Sequence, residues 1–391
     1  MSHGTRRFSW KCVLARTGAA VVSAASLTAL IAVASFTIAS RVEAKPIPST
    51  QKQYRLVRIG TQGPLTLKLV DAPVRQPGLH EVLVKVHAAS LNRHDIFTIK
   101  EGFGLGSRES VVPLSDGAGE VVAIGSGVTR FRVGDRVAGI FFQRWLSGRA
   151  RAEFLSSVLG GEQFDGMLTQ YATLNEQGLV KLPPSLSYEE GSTLPCAGVT
   201  AWNGLFTQGH LQRGDTVLLE GTGGVSSFGL VFAVAAGAKV IITSSHDEKL
   251  ERAKALGAFG TINYKKTPDW EKPVRQLTGG RGVDQILEVG GKDTVPHALK
   301  SLAVGGHIAL IGGLGGFGGD IPVTALLSTG STASGIYVGS RADFEAMNAF
   351  IERHHVKPVV DRVIPFSDAK TAYELMEADQ FFGKIVISMD R

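Results

Sequence analysis

The fold is decided by residues 214–238, GDTVLLEGTGGVSSFGLVFAVAAGA. Thr216 to Glu220 is a short apolar run suited to a buried strand, and it breaks at Gly221-Thr222-Gly223-Gly224-Val225-Ser226 into an apolar segment of helical length. A strand, a glycine turn and a helix start follow one another. Gly221 permits the tight turn, Gly223 lets the backbone approach a pyrophosphate, Gly224 and Val225 complete the turn, and Ser226 is small enough for the helix to lie close on its strand. The helix N-terminus offers free N–H groups and a positive dipole end to phosphates. The third position of this glycine pattern is Ser rather than Gly or Ala.

Strand-like and helix-like segments then alternate at βαβ spacing. Lys239–Thr243 reads as the second strand, Asp247–Leu256 as a helix ending at Gly257, Thr261–Tyr264 as a third strand and Trp270–Leu277 as helical. Val283–Glu288 and His307–Ile311 are further apolar strands, each running into glycines at Gly290-Gly291 and Gly312-Gly313. A nucleotide lies across the carboxyl ends of such strands, so Gly290 and Gly312 are candidate contacts. Gly315 to Gly319 read as plain turn glycines.

The end of the second strand types the nucleotide. A site for NAD carries an Asp or Glu there to bind the ribose 2′-hydroxyl. This chain has Thr243-Ser244-Ser245-His246, then Lys249 and, after the next strand, Tyr264. Ser244, Ser245, Lys249 and Tyr264 suit the anionic 2′-phosphate of NADP(H). Asp247 and Glu248 stand close enough to keep NAD open, and Lys249 also reads as part of a solvated helix face.

With 391 residues, of which 43% are hydrophobic, the chain is long enough for two domains with their own cores. Arg6, Arg7, Lys11 and Arg16 precede an uncharged stretch from Thr17 to Ser40, followed by Val42-Glu43-Ala44. This is the layout of a secretory signal over residues 1–44, with an uncleaved membrane anchor as the rival; Arg6-Arg7 is similar to the twin-arginine signal that exports folded proteins. Export to an extracytoplasmic space is the expectation, although such a space has no evident supply of reduced dinucleotide. The leader holds five of the 41 Lys and Arg and one of the 35 Asp and Glu, leaving 36 against 34. The body is nearly neutral, and no basic stripe argues for nucleic acid. Of two cysteines only Cys196 lies outside the leader, so no intramolecular disulfide is expected.

Residues 45–53 read as a linker. From Tyr54 the pattern is many short strands without helices: Arg55–Ile59, Leu65–Val70, Glu81–Ala88, Gly119–Ile124 and Arg136–Ile140, parted by Pro and Gly turns. Phe141–Gly166 is a polar and aromatic insertion. Tyr188–Phe206 is helix-prone, interrupted at Leu194-Pro195, and Arg341–His355 makes a last helix of the nucleotide half. The strand Lys384–Met389 should return to the first domain. The expected fold is α/β, with one β-rich domain over 54–186 and 357–391 and a nucleotide-binding domain over 187–356.

Over residues 54–390 the chain resembles the medium-chain dehydrogenase/reductase superfamily, in its zinc-free, quinone oxidoreductase-like branch. The residues that carry this are Ala89 to Asp95 (ASLNRHD), Asp116 to Val121 (DGAGEV), Phe131 to Val137 (FRVGDRV), Leu194 to Trp202 (LPCAGVTAW), the Gly221 to Ser226 turn, Lys249 to Gly257 and Gly383 to Ile387 (GKIVI). The resemblance implies a GroES-like catalytic domain, a Rossmann domain and a cofactor between them, with Thr200, Gly290 and Gly312 near it. It also implies pairing of subunits into a homodimer through the sheet edge near Thr332–Val338.

In zinc members of the superfamily a Cys falls where Asn92 stands, and a His-Glu pair where this chain has Ser115-Asp116. Those replacements are poor zinc ligands, and Phe141–Gly166 holds none of the four cysteines a structural zinc needs, so no zinc is expected. Without a metal, fixed donors must stabilise the charge that develops on hydride transfer. Asn92 is the first candidate; Asp95 braces the same loop or takes part in catalysis, and His94 could relay a proton. The expected activity is reduction of a quinone, an activated alkene or a carbonyl of a small apolar substrate, with NADP(H). An alcohol or aldehyde dehydrogenase, and a non-catalytic dinucleotide-binding redox sensor, are the alternatives.

Overall fold

A computed structural model describes residues 46–58 and 64–391. The leader expected over residues 1–44 lies outside the described residues. Among those described, no helix is long and apolar enough to cross a membrane.

The first part of the chain forms β1 (Thr50–Arg58), β2 (Leu65–Pro73), β3 (Glu81–Ser90), β4 (Ser110–Val111), β5 (Asp116–Ile124), β6 (Arg136–Gly139), β7 (Tyr171–Asn175) and β8 (Leu179–Lys181). β1 begins at Thr50, inside the stretch expected to be linker. Gln51 is buried there, its Oε1 accepting from Thr169 Oγ1 at 2.8 Å and from Tyr171 N at 2.7 Å. Nor is this part free of helix, because Arg93–Glu101 is helical directly after β3. Asp95 receives the Asn92 N–H at 2.7 Å, satisfying a donor at the helix start, and Gly102 ends the helix at φ 72°.

The second part builds β9 (Thr216–Glu220), β10 (Lys239–Ser244), β11 (Gly260–Asn263), β12 (Val283–Glu288), β13 (Leu302–Leu310) and β14 (Thr332–Gly335). They form one sheet in the order β11-β10-β9-β12-β13-β14, every neighbouring pair parallel. A parallel sheet covered on both faces reads as continuous apolar sequence, and all five residues of β9 are buried. Burial of each of Val217, Leu218 and Leu219 contributes roughly 1.5–3 kcal/mol. Strand order reverses between β9 and β12, and ligands bind at the carboxyl ends of strands beside such a switch point.

The chain then returns. β15 (Val360–Pro365) and β16 (Lys384–Ser388) pair in parallel, and β16 pairs antiparallel with β3, giving the seven-stranded sheet β15-β16-β3-β5-β6-β8, with β7 also on β3. Just before β16, Gly383 takes φ 91° and its N–H donates to Thr222 O at 2.9 Å, inside the glycine turn. The nucleotide turn and the catalytic sheet are thus joined by a backbone bond. A Cβ at Gly383 would stand 2.3 Å from Val359 O. Gly383→Ala should therefore lose roughly 1–3 kcal/mol of stability, read as a lower urea midpoint.

Two buried carboxyl side chains end β9 and β12. Glu220 Oε2 receives the Val289 and Gly290 N–H groups at 3.4 Å, and Glu288 Oε1 receives those of Gly290 and Gly291 at 3.0 and 2.8 Å. Together they hold the turn that carries Gly290. Burial, then the neighbouring Glu288, pushes the Glu220 carboxyl well above its ordinary 4.5. A raised folded-state value means that its contribution to stability is present below the ordinary value and is lost as the pH rises towards the raised one. Glu220→Gln should remove that loss, so that urea midpoints at about pH 5 and about pH 8 lie closer together than in the parent protein.

Candidate active site

The glycine turn leaves its backbone bare. A Cβ built on Gly221, which has φ 68°, or on Gly223 would meet nothing within 4 Å. That open space at a helix N-terminus is what a pyrophosphate needs, and the Gly224–Ala235 helix starts there with Gly223 as its cap. Val225 is half-buried in its first turn. Ser226, the departure from Gly or Ala, is buried and donates its hydroxyl to Glu220 O at 2.6 Å, pinning the helix to the strand it follows. Gly224 faces elsewhere: its Cβ would stand 2.8 Å from the Lys384 Cδ.

At the end of β10, Ser244 is buried and its carbonyl accepts from Tyr264 N at 3.1 Å. Ser245 Oγ shares a 2.8 Å hydrogen bond with His246 Nδ1, and Tyr264 is 40% exposed. Lys249 is half-buried and donates to the Asp379 carbonyl at 2.8 Å; burial lowers its pKa, against the nearby Asp379 and Asp361. The carboxylate that could have bound a ribose hydroxyl, Asp247, is engaged with Asn263 Nδ2 at 2.7 Å and with the Lys266 ammonium. Lys266, next to Lys265 after β11, had no part in the sequence expectation.

Thr200 is buried with its hydroxyl donated to Cys196 O at 2.7 Å, and a Cβ at Gly312 would stand 2.6 Å from Val289 O. Gly290 is equally closed, its Cβ position 2.2 Å from Thr294 Oγ1. These two glycines let loops pack rather than leaving a gap.

Asn92 is 7% exposed, and its Oδ1 accepts from Lys384 Nζ at 2.5 Å. The same ammonium donates to Leu91 O at 2.6 Å and to Asp116 Oδ2 at 3.3 Å. Asp116 also receives Ser90 Oγ at 3.2 Å and Ser115 Oγ at 3.0 Å. The positions compared above with zinc ligands therefore surround a buried cation belonging to the chain itself. Burial pushes the Cys196 thiol well above its ordinary range. Among the described residues no group of three or more His, Cys, Asp or Glu could hold a metal ion.

Lys384 had no assigned role in the sequence, although its signal is visible there: one charge inside Phe381-Phe382-Gly383-Lys384-Ile385-Val386-Ile387. It is 1% exposed. Asp95 braces the helix start described above, with His94 Nε2 3.3 Å from its other oxygen, and burial raises its pKa. Aromatic rings stand next to this loop. His94 lies edge-on to Phe141 at 5.4 Å, Phe142 meets Tyr337 at 5.0 Å, and Phe97 faces Phe317 at 6.4 Å across the two parts of the chain.

Comparison with known proteins agrees with this architecture. Residues 78–184 match the alcohol dehydrogenase GroES-like domain and residues 224–353 the zinc-binding dehydrogenase domain. A zinc-type alcohol dehydrogenase-like protein of Schizosaccharomyces pombe is 46% identical over 79% of this chain and 91% of its own. A crystal structure of a candidate alcohol dehydrogenase from Sinorhizobium meliloti 1021 covers 88% of this chain and 100% of its own at 41% identity and a TM-score of 0.83. An NAD-dependent alcohol dehydrogenase of known structure covers 87% of this chain and 99% of its own at 33% identity and a TM-score of 0.75. A nucleotide sheet with a bare glycine turn, a GroES-like sheet beside it and these relatives lead to one conclusion: the chain belongs to the medium-chain dehydrogenase/reductase superfamily, the NAD(P)-dependent oxidoreductases of alcohol dehydrogenase type.

Proposed function

We propose that the protein is a zinc-independent, NADP(H)-dependent reductase of quinones, activated alkenes or carbonyls on small apolar substrates. The observation that carries this reading is the Lys384 ammonium bonded to Asn92 and Asp116. Zinc there would have to displace a buried cation from Asn92 and Asp116 and take an amide and a hydroxyl, both poor zinc ligands, beside one carboxylate and one thiol, a donor set that does not fit it. All three relatives described above carry alcohol dehydrogenase names, one of them zinc-type, so an alcohol dehydrogenase is the reading to be tested against this one.

A reduced dinucleotide on the Gly221–Ser226 turn would supply a hydride. As the substrate carbon accepts it, an electron pair moves onto the substrate oxygen. The Asn92 Nδ2 group is buried and has no acceptor among the described residues, so its N–H bonds are available to that oxygen. A proton then reaches the oxygen from solvent, with His94, a quarter exposed beside Phe141, as a relay. The rings of Phe97, Phe141 and Tyr337 favour an apolar, planar substrate.

NADP(H) is favoured over NAD(H) because Asp247 is already neutralised by Lys266, while Lys249, Lys265, Ser245 and Tyr264 surround the end of β10. A homodimer is proposed through β14, whose outer edge is unpaired among the described strands; Val323 and Leu327 are strongly exposed in the helix that precedes it.

Fluorescence titration should show NADPH binding more tightly than NADH, and Lys249→Ala weakening NADPH alone by roughly 10–100-fold; equal loss for both would discard the 2′-phosphate assignment. Asn92→Ala should lower kcat for NADPH-dependent reduction of benzoquinone, cyclohexenone or benzaldehyde by roughly a hundred- to a thousandfold, with NADPH affinity unchanged. Purified protein should contain substoichiometric zinc and keep its turnover through chelator treatment. Stoichiometric zinc whose removal abolishes turnover would establish the alcohol dehydrogenase reading instead.

A further inference from the structure

An ammonium has three N–H donors and no acceptor. In Lys384 all three are used, on Leu91 O, Asn92 Oδ1 and Asp116 Oδ2. None remains for a substrate, so Lys384 does not itself touch the reacting atoms. Its effect falls on Asn92. The two ends of an Asn amide are nearly equal in size, and only their partners decide which way the group faces. Against a donor-only group, Oδ1 must face the ammonium. Nδ2 is then turned the other way, where it is buried with no acceptor among the described residues.

A buried N–H pair without an acceptor is costly, and a fold retains it where a ligand completes it. The surroundings also hold the lysine in place. Asp116 opposes its charge and is itself bonded by Ser90 and Ser115. Gly224, at the start of the nucleotide helix, leaves the space through which the lysine stem passes; a Cβ there would stand 2.8 Å from Cδ and 3.1 Å from the Cβ of Ala197.

We infer that Lys384, backed by Asp116, is the positioning residue of the site: it fixes the Asn92 amide so that Nδ2 donates to the oxygen on which negative charge develops. This rests on the reading of Asn92 given under Proposed function. The lysine acts through the orientation of one neighbour, and its removal should be felt only while that neighbour is present.

The test is a double-mutant cycle in the full enzyme, following NADPH oxidation with benzoquinone or cyclohexenone and NADPH binding by fluorescence. Lys384→Met should lower kcat by roughly the factor seen for Asn92→Ala, about a hundred- to a thousandfold, with NADPH affinity retained. The Asn92→Ala/Lys384→Met enzyme should be no slower than Asn92→Ala alone, to within about threefold. Losses that multiply, or a Lys384→Met enzyme with the parent kcat, would overturn the inference while leaving Asn92 as the donor. An Asn92→Ala enzyme with the parent kcat would instead overturn the donor reading itself. Lys384→Met leaves Asp116 buried without its counter-charge, so the cycle is repeated in an Asp116→Asn background, where both buried charges are gone. The same non-additivity is expected there, and multiplying losses in that background would equally overturn the inference.

Discussion

One charge without access to water organises the centre of this enzyme. Taking an ammonium out of water costs several kcal/mol, and only well-made bonds to oxygen offset it. Lys384, on β16, finds them on two other segments: Leu91 and Asn92 after β3, and Asp116 at the start of β5. The requirement to satisfy that ammonium fixes where these strands lie against each other. It also places a cation of the chain's own at the positions compared above with zinc ligands, Asn92 and Asp116. Removing either charge alone would leave the other stranded, a loss of about 3–5 kcal/mol.

The nucleotide half follows a different logic, in which what matters is left empty. Gly221 and Gly223 keep side chains out of the space above the turn, while Ser226 and the Glu220–Glu288 pair hold the strand ends beneath it. At the rim, Asp247 is tied to Asn263 and Lys266, so the negative charge nearest the end of β10 is already compensated. The two halves meet through backbone bonds from Gly383 to Thr222, from Arg341 to Trp145 and from Ala342 to Leu146, and through an apolar cluster that runs from Ala118 and Phe141 to Phe228 and Met347.

Much of this was legible in the chain. Thr216–Glu220 and Val283–Glu288 were bounded correctly because strands buried on both faces are uninterrupted apolar runs stopped by glycine. The two-part fold and the family followed from ordered motifs. The Arg93–Glu101 helix is hard to see in sequence, since Arg-His-Asp-Ile-Phe-Thr-Ile is short, polar at its start and rich in residues that also suit strands. The start of β1 was hidden because Gln51 and Gln53 are buried polar residues whose partners lie more than a hundred positions away. In sequence Lys384 is only part of a motif, because its meaning depends on oxygens brought to it by the fold. For the same reason the sequence could name Asn92 but not the direction in which its amide faces.

The place of β16 in the chain has a consequence for synthesis. Residues 384–388 form the last of the described strands to be made, yet β16 sits between β15 and β3, a strand near the start of the described chain. The GroES-like sheet therefore cannot close, nor Asn92 acquire its lysine, until residues 384–388 have left the ribosome. The nucleotide sheet, whose six strands come from one continuous stretch, faces no such delay. A nascent chain can thus possess a dinucleotide-binding surface before the buried lysine reaches its oxygens, and the step that completes the second sheet is the emergence of β16.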